Sequence, residues 1–534
     1  MENLSKFPHC ILLTRVGQFY EVSPLIHSHD RPNDIAWAAQ SYFDQATEVS
    51  SLLDIKLTSR KWDNQSVLMC GFPVIHLQRH LKTLVQNNHR FVALCEEFAR
   101  PVQPGTKPLY DRRVDRIVTP GTLIDEPFLN HYESNYLMAV SSAASSSPTE
   151  HDALGLAWLD VSTGEFFTKS TTVECLYDDV VRIHPREVVL PRMMESVDPC
   201  PVRAIVRGEG IVVSYFNTAT PIPLQPLPDV PNASLNTRRP TTPILSSQES
   251  SAVTLLTGYL QSNLLDYMPN LSAPRKETDE ARMEIDAHTL KSLEIREGVH
   301  GSGGIGTLLG CLKRTVTSGG TRLLSRWLCT YRPYPISFKA DSNVAGSPST
   351  SLSEINARQS IVALFHALPH LRCDLRDRLR GIDDVARVLQ KFLLGRGNTD
   401  DVVAISTAIS AWSFVRSRLS LERKLHTKEG NRNLEREWAA IDGLLSQMED
   451  LPELDRKIQA SMDGDPTRLG SLPERTEEDT ITPQELSADD KWKQGYRSSI
   501  NPECVDLRRM ATPASTTNQC HLGFPKSFWP YIQN

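Results

Sequence analysis

The sequence predicts a multidomain protein in which mixed α/β modules precede an all-α region. Short apolar runs in the first hundred residues are typical of buried strands; they are 11–13, 67–69 and 91–95. From about residue 276, leucines instead recur at helical spacing, as at Leu308, Leu309 and Leu312. A chain of 534 residues is long enough for three or four domains, each with its own core.

Composition limits the classes of protein to consider. A hydrophobic content of 40% and a charged content of 23% are typical of globular domains. No apolar run approaches the roughly 18 residues that a membrane-spanning helix needs. The formal net charge of −6 offers no general attraction for polyanions, so any phosphate-binding surface has to be local. The ten cysteines form no Cys-x-x-Cys pair, which predicts reduced thiols and no metal site.

The segment from Ile11 to Val22 contains the candidate binding site. An apolar run leads through Gly17 into Phe19-Tyr20-Glu21. In an extended strand, Phe19 and Glu21 project to one face and Tyr20 to the other. An exposed ring beside an exposed carboxylate can wedge against a nucleobase and accept a hydrogen bond from its edge. Taken alone, the tripeptide is more typical of an ordinary half-buried strand.

Several blocks along the chain resemble the MutS family of DNA mismatch-repair proteins, in the family's order. Gly17-Gln18-Phe19-Tyr20-Glu21 resembles the signature of its N-terminal mismatch-recognition domain. The further blocks are Cys70–Pro73, Val92–Glu97, Arg116–Thr122, Gly155–Phe166, Arg314–Thr317, Gly320–Leu324 and Ile355–Gln359. The lead-in from Lys6 to Arg15 is most similar to fungal mitochondrial members. This similarity implies a mitochondrial location, with the nucleus as the alternative, although Glu2 argues against a transit segment.

The resemblance implies a domain order. It implies a mixed α/β mismatch-recognition domain, an RNase H-like α/β connector, an incomplete helical lever or core domain and the start of a clamp; these cover 1–128, 129–275, 276–470 and 471–510. Residues 511–534 resemble no part of the family. An insert at 22–41 interrupts the first domain, and it is either a tolerated surface loop or an erroneously translated intron.

The resemblance also implies a function. Phe19 would stack at a mispaired or unpaired base in duplex DNA, and Glu21 would bond to the edge of that base. Full-length members are DNA-dependent ATPases that use ATP and magnesium and pair with another MutS-type subunit. Their Walker A loop needs a Gly-Lys pair, and this sequence contains none, so we expect no catalytic residue, cofactor or ATP hydrolysis here. The alternative is a truncated or non-catalytic remnant that is inactive or binds proteins.

Three other patterns have competing interpretations. Gly301 to Gly306 matches the dinucleotide-binding G-x-G-x-x-G, but a helical pattern precedes it, which favours a turn between helices. His76 and His80 are one helical turn apart without a third metal ligand, which favours a surface helix. Residues 291–332 contain seven Lys or Arg against two Glu, which indicates either a phosphate-facing or a solvated helical face.

Overall fold

The computed structural model describes most of the chain up to residue 461. The described residues are 7, 9–22, 45–62, 65–99, 110–124, 126–142, 153–217, 245–269, 271–277, 285–298, 301–302, 306–329, 352–429, 432–448 and 450–461. Most of the predicted insert at 22–41, the predicted clamp at 471–510 and the tail at 511–534 lie outside them.

The first module is built on a six-stranded sheet in the order β3-β4-β2-β1-β5-β6. Its strands are β1 (Ile11–Val16), β2 (Phe19–Val22), β3 (Thr58–Trp62), β4 (Gln65–Pro73), β5 (Val92–Ala99) and β6 (Tyr110–Val118). The pairing of β1 with β5 is parallel, and the other neighbours are antiparallel. The three apolar runs in the sequence therefore lie in β1, β4 and β5, as predicted.

Helices cover one side of this sheet. Helix α1 spans residues 45–53. Helix α2 (Leu77–Leu81) follows a 3₁₀ turn at Val74–His76 and leads into a π-helical turn at Lys82–Asn87. His80 is only 9% exposed and its ring centroid lies 4.3 Å from that of Phe72. The predicted surface helix is present, with Arg79 exposed, and His80 lies on its buried face against the core.

The second module is a mixed sheet in the order β11-β10-β7-β8-β9-β12. Its strands are β7 (Tyr136–Ser142), β8 (Ala153–Asp160), β9 (Glu165–Thr172), β10 (Glu187–Pro191), β11 (Val212–Phe216) and β12 (Arg275–Lys276), with helices α3 (Val173–Ile183), α4 (Pro201–Gly208) and α5 (Ser247–Leu264). Core clusters lie on both faces, one against α3 and α4 and the other against α5. Strands buried on both faces need nearly continuous apolar sequence, which β7, β8 and β10 have.

The third region is helical apart from a short ladder of β13 (Glu297–Gly298) and β14 (Gly301–Ser302). The helices are α6 (Ala287–Ser292), α7 (Leu308–Leu312), α8 (Ser318–Cys329), α9 (Leu352–Ala367), α10 (Pro369–Arg380), α11 (Val385–Leu393), α12 (Thr399–Glu429), α13 (Arg432–Gln447) and α14 (Pro452–Ser461). Trp438, 0% exposed, is at the centre of one of the helical cores. The glycine pattern that begins at Gly301 starts in β14 of this ladder, between α6 and α7.

A buried carboxylate joins the first two modules. Glu187, at the start of β10, is fully buried and accepts hydrogen bonds from Thr119 Oγ1 at 2.6 Å, Gly121 N at 2.9 Å, Ser214 Oγ at 2.6 Å and Tyr259 OH. A Cβ atom on Gly121 would lie 2.6 Å from the side chain of Leu137. The Thr-Pro-Gly-Thr block thus has a structural role, because its backbone packs directly on the second sheet.

We expect Glu187→Ala to destabilise the protein strongly. The change leaves three hydroxyl groups and a backbone N–H without their acceptor, at a cost of about 3 kcal/mol in the free energy of unfolding. Chemical denaturation of the full chain measures this cost. Glu195→Ala is the control, because Glu195 is exposed and 3.9 Å from Arg192, and should change stability by less than about 0.5 kcal/mol. Equal effects of the two changes would contradict the prediction.

Candidate nucleic-acid interface

The candidate site lies at the tip of the hairpin formed by β1 and β2. Gly17 has φ +61°, and Val16 pairs with Phe19 across the two-residue turn. A positive φ at the first turn position is a conformation that glycine adopts most readily. The backbone N–H of Gly17 donates to Glu97 Oε2 at 3.1 Å, and Gln18 O accepts from Val74 N at 2.9 Å. The tip is therefore fixed from two sides.

Side chains on β2 alternate between solvent and core. Phe19 is 48% exposed, Tyr20 is 2% exposed, Glu21 is half-buried and Val22 is 1% exposed. The ring of Tyr20 lies 6.2 Å from that of Phe72 in the core, and its hydroxyl donates to Glu96. The sequence-based expectation that Phe19 faces outward and Tyr20 inward therefore agrees with the structure.

Ion pairs surround the buried end of Tyr20. Arg15 Nη1 lies 3.1 Å from Glu96 Oε2, and Arg112 Nη2 lies 2.5 Å from Glu97 Oε1. Burial, followed by the hydrogen bond to Glu96, raises the pKa of the Tyr20 hydroxyl well above its usual range. Tyr20 consequently remains a protonated donor at physiological pH, and this bond anchors β2 with Phe19 on the opposite face.

Glu21 lies over a glycine on the neighbouring strand. Gly71 of β4 is its register partner, and a Cβ atom there would lie 3.2 Å from Glu21 Cγ and 2.8 Å from Tyr20 O. The glycine of the Cys70–Pro73 block thus provides space for the carboxylate. Within the described part of the chain, Glu21 has no hydrogen-bond or ion-pair partner. Its oxygens can therefore accept a hydrogen bond from a bound base.

Sequence reasoning missed one apolar residue beside this hairpin. Ile75 is 83% exposed, two residues after Pro73, the register partner of Phe19. His76, which follows it, is also exposed. The apolar run Pro73-Val74-Ile75 resembles the end of a buried strand, so the sequence alone contains no signal that Ile75 faces solvent. The exposed surface at the tip therefore includes Ile75 as well as Phe19 and Glu21.

The arginines at the centre of the basic stretch 291–332 do not form the predicted exposed helical face. Arg322 is 8% exposed and donates to Asp384 Oδ1 at 2.9 Å, while Arg326 lies 2.7 Å from Glu165 Oε1. Both interpretations, a phosphate-facing face and a solvated face, are wrong for these two arginines. Their charges are used in buried ion pairs that join α8 to the second module and to α11.

The part of the chain that the structure describes contains neither a metal-binding cluster nor a membrane-spanning helix. Among the described residues, no group of three or more His, Cys, Asp or Glu side chains could hold a metal ion. None of the described helices is both long and apolar enough to cross a membrane.

Comparison with known families places these modules. Family models match for MutS domain I over residues 40–127, MutS domain II over 135–220 and MutS domain III over 288–512. The chain belongs to the MutS family. The domain I match begins after the hairpin, but β1 and β2 pair with β5 and β4 of the matched region. The sheet therefore joins Phe19 and Glu21 to MutS domain I despite the intervening residues.

Curated relatives extend the comparison across the three domains. The chain is 31% identical over 433 residues to DNA mismatch repair protein MutS of Rhizobium meliloti, which covers 77% of this chain and 41% of that protein. The MutS protein of Dinoroseobacter shibae is 31% identical over 75% of this chain and 40% of its own. The MutS protein of Bartonella henselae is 28% identical over 82% of this chain and 43% of its own. The chain spans about two fifths of these relatives, and its similarity to fungal mitochondrial members stays a prediction.

We expect Gly71→Ala to destabilise the first module of this MutS-family chain. The added methyl group forces Tyr20 O and Glu21 apart from β4, and overpacking of this kind costs about 1–3 kcal/mol. Thermal unfolding of the full chain measures the change. Gly443→Ala is the matched control, because its Cβ atom would meet nothing within 4 Å on α13, and alanine there should be neutral or stabilising. A Gly71→Ala protein as stable as the control would contradict the packing of Glu21 on Gly71.

Proposed function

We propose that this chain binds mispaired or unpaired bases in duplex DNA, as the mismatch-recognition part of a MutS-family DNA mismatch-repair protein. The observation that supports this proposal is the exposed Phe19 ring beside a Glu21 carboxylate that has no partner among the described residues, at a hairpin tip fixed from two sides. The ring would insert next to the mispair, and the carboxylate would accept a hydrogen bond from the base edge. The names of the curated relatives agree with this activity.

Discrimination follows from the cost of opening the duplex. Inserting an apolar wedge unstacks a base step at a cost of a few kcal/mol, and stacking on an aromatic ring returns about 1–3 kcal/mol per base. A mispaired step has already lost part of its pairing and stacking energy, so insertion there has the lower net cost. Phe19 therefore selects mispairs without reading sequence, and Ile75 adds apolar surface beside it.

Charge has to come from other parts of the protein. Residues 1–120 contain 14 Lys or Arg against 12 Asp or Glu, so the first module has little general attraction for phosphate. In this proposal the bent duplex is held by cations of the helical region and the clamp, while the hairpin supplies the wedge. The binding constant should consequently depend on salt more than the preference for a mispair does.

The second and third modules support the arrangement proposed for the family. The order β9-β8-β7-β10-β11, antiparallel from β9 to β7 and parallel from β7 to β11, supports an RNase H-like connector. The helices from α6 onward would form the lever or core domain. ATP, magnesium, a second MutS-type subunit and a mitochondrial location are proposals for the whole protein that rest on resemblance, since its relatives are more than twice as long as the matched part.

We expect Phe19→Ala to remove the preference for a G·T heteroduplex over the matched duplex, because the wedge is lost while the sheet remains. The ratio of the two dissociation constants, measured on the full chain in a salt titration, should fall to about one. Phe414→Ala is the matched control, since Phe414 is 42% exposed on α12 and distant in sequence from the hairpin, and it should leave the ratio unchanged. A preference retained without Phe19 would show that another residue is the wedge.

A further inference from the structure

A cleft lies between the second module and the first helices of the helical region. Its volume is about 170 Å³, and its walls come from β7, β8, β9 and α3 on one side and from α7 and α8 on the other. The charged residues that line it are Arg182, Arg186, Arg296, Lys313, Arg322 and Arg326, against Glu133, Glu277 and Glu297. Cationic side chains thus outnumber carboxylates on its surface.

Four of these arginines have carboxylate partners. Arg182 lies 3.0 Å from Glu277 and 2.9 Å from Asp179, and Arg186 pairs with Glu133. The partners of Arg322 and Arg326, described above, lie behind the wall of the cleft. The ion pairs of Arg326 with Glu165 and of Arg182 with Glu277 join separate elements of the fold, so these four arginines are accounted for by structure.

The two remaining cations are not matched by carboxylates. Lys313 Nζ lies 4.0 Å from the centroid of the Tyr132 ring, and no carboxylate pairs with it in the described part of the chain. Arg296 contacts the Cys329 thiol, and its buried Nε–H has no acceptor among the described residues. A buried donor without an acceptor is costly unless a ligand supplies one. The side of the cleft that belongs to the helical region therefore carries unused positive charge.

The pKa of His184, which also lines the cleft, is lowered by burial and by the same positive charges. His184 lines the cleft, and burial followed by the charges of Arg186, Arg296 and Lys291 lowers its pKa to about 3. Its imidazole is thus neutral at physiological pH and able to donate or accept one hydrogen bond. The third carboxylate of the lining, Glu297, is 3.4 Å from His184, and its side chain is 58% exposed, so it neutralises little of the charge inside.

We propose that this cleft binds a phosphate group between Arg296 and Lys313. A guanidinium can donate two parallel hydrogen bonds to a phosphate, and an ammonium supplies a compact charge for the remaining oxygen. Trp158 and Phe167 are each 3% exposed and offer no stacking face, and one face of the exposed Tyr132 ring is occupied by Lys313 Nζ. The site therefore recognises the phosphate itself, whether it is free inorganic phosphate or pyrophosphate or belongs to a nucleotide.

Such a ligand would also stabilise the junction between the two regions. Arg296 and Lys313 belong to the helical region, whereas His184 and Arg182 belong to the second module. A phosphate in the cleft contacts both sides, and any ligand that binds only the folded protein raises its unfolding temperature. The site is separate from the hairpin of Phe19, so its test does not depend on DNA binding.

The test is titration of the full chain with inorganic phosphate, pyrophosphate and a nucleoside monophosphate. Binding is measured by calorimetry, and stability is measured by thermal unfolding. Sodium chloride at matched ionic strength is the reference. We expect saturable binding and a larger rise in unfolding temperature than with chloride. Affinity should fall about tenfold in Lys313→Gln and again in Arg296→Gln, because a hydrogen bond to a charged group contributes about that factor.

Lys424→Gln is the matched control, because Lys424 is exposed on α12 and does not line the cleft; it should bind phosphate as the unchanged protein does. Circular dichroism before titration establishes that each variant is folded. Equal affinity for phosphate and the nucleotide would identify the free anion as the ligand, and tighter nucleotide binding would identify a nucleotide phosphate. Phosphate effects equal to those of chloride, or phosphate binding retained when Lys313→Gln and Arg296→Gln are combined in one protein, would overturn the proposal.

Discussion

The candidate site depends on one buried contact, the hydrogen bond from the Tyr20 hydroxyl to Glu96. Side chains alternate along a strand, so placing Tyr20 in the core places Phe19 and Glu21 on the opposite face. A slip of one residue would bury Phe19 and expose Tyr20. The turn at Gly17 and the contact of Glu21 with Gly71 both specify the same register. Three independent constraints thus present the ring and the carboxylate together.

The same kind of buried polar contact connects the modules to one another. Glu187 holds the end of the first module to the second sheet. Arg387 of α11 donates to the backbone oxygens of Asn130 and Glu133, in the loop between β6 and β7. A buried charge that loses its partners is strongly destabilising, so such contacts favour one arrangement of neighbouring elements. The phosphate group proposed for the adjacent cleft would act at the junction of the second module with the helical region.

The sequence could predict the site's orientation and the class of each module, because strand and helix periods are local properties. The opposite faces of Phe19 and Tyr20 and the apolar strands β1, β4 and β5 follow from that periodicity. The roles of Arg322 and Arg326 could not be predicted, because their partners lie 62 and 161 residues away in the chain. Ile75 was missed for a related reason, since an apolar residue at the end of an apolar run shows nothing of its exposure.

The central claim is that the Phe19 ring touches the mispaired base, and photochemical crosslinking tests it most directly. A duplex with 5-iodouracil opposite guanine is bound to the full chain and irradiated, and the crosslinked peptide is identified by mass spectrometry. Aromatic rings stacked on the base are the expected crosslinking partners. The account predicts a crosslink at Phe19 that is absent from a duplex in which iodouracil pairs with adenine. A crosslink at another residue, or the same yield from both duplexes, would contradict it.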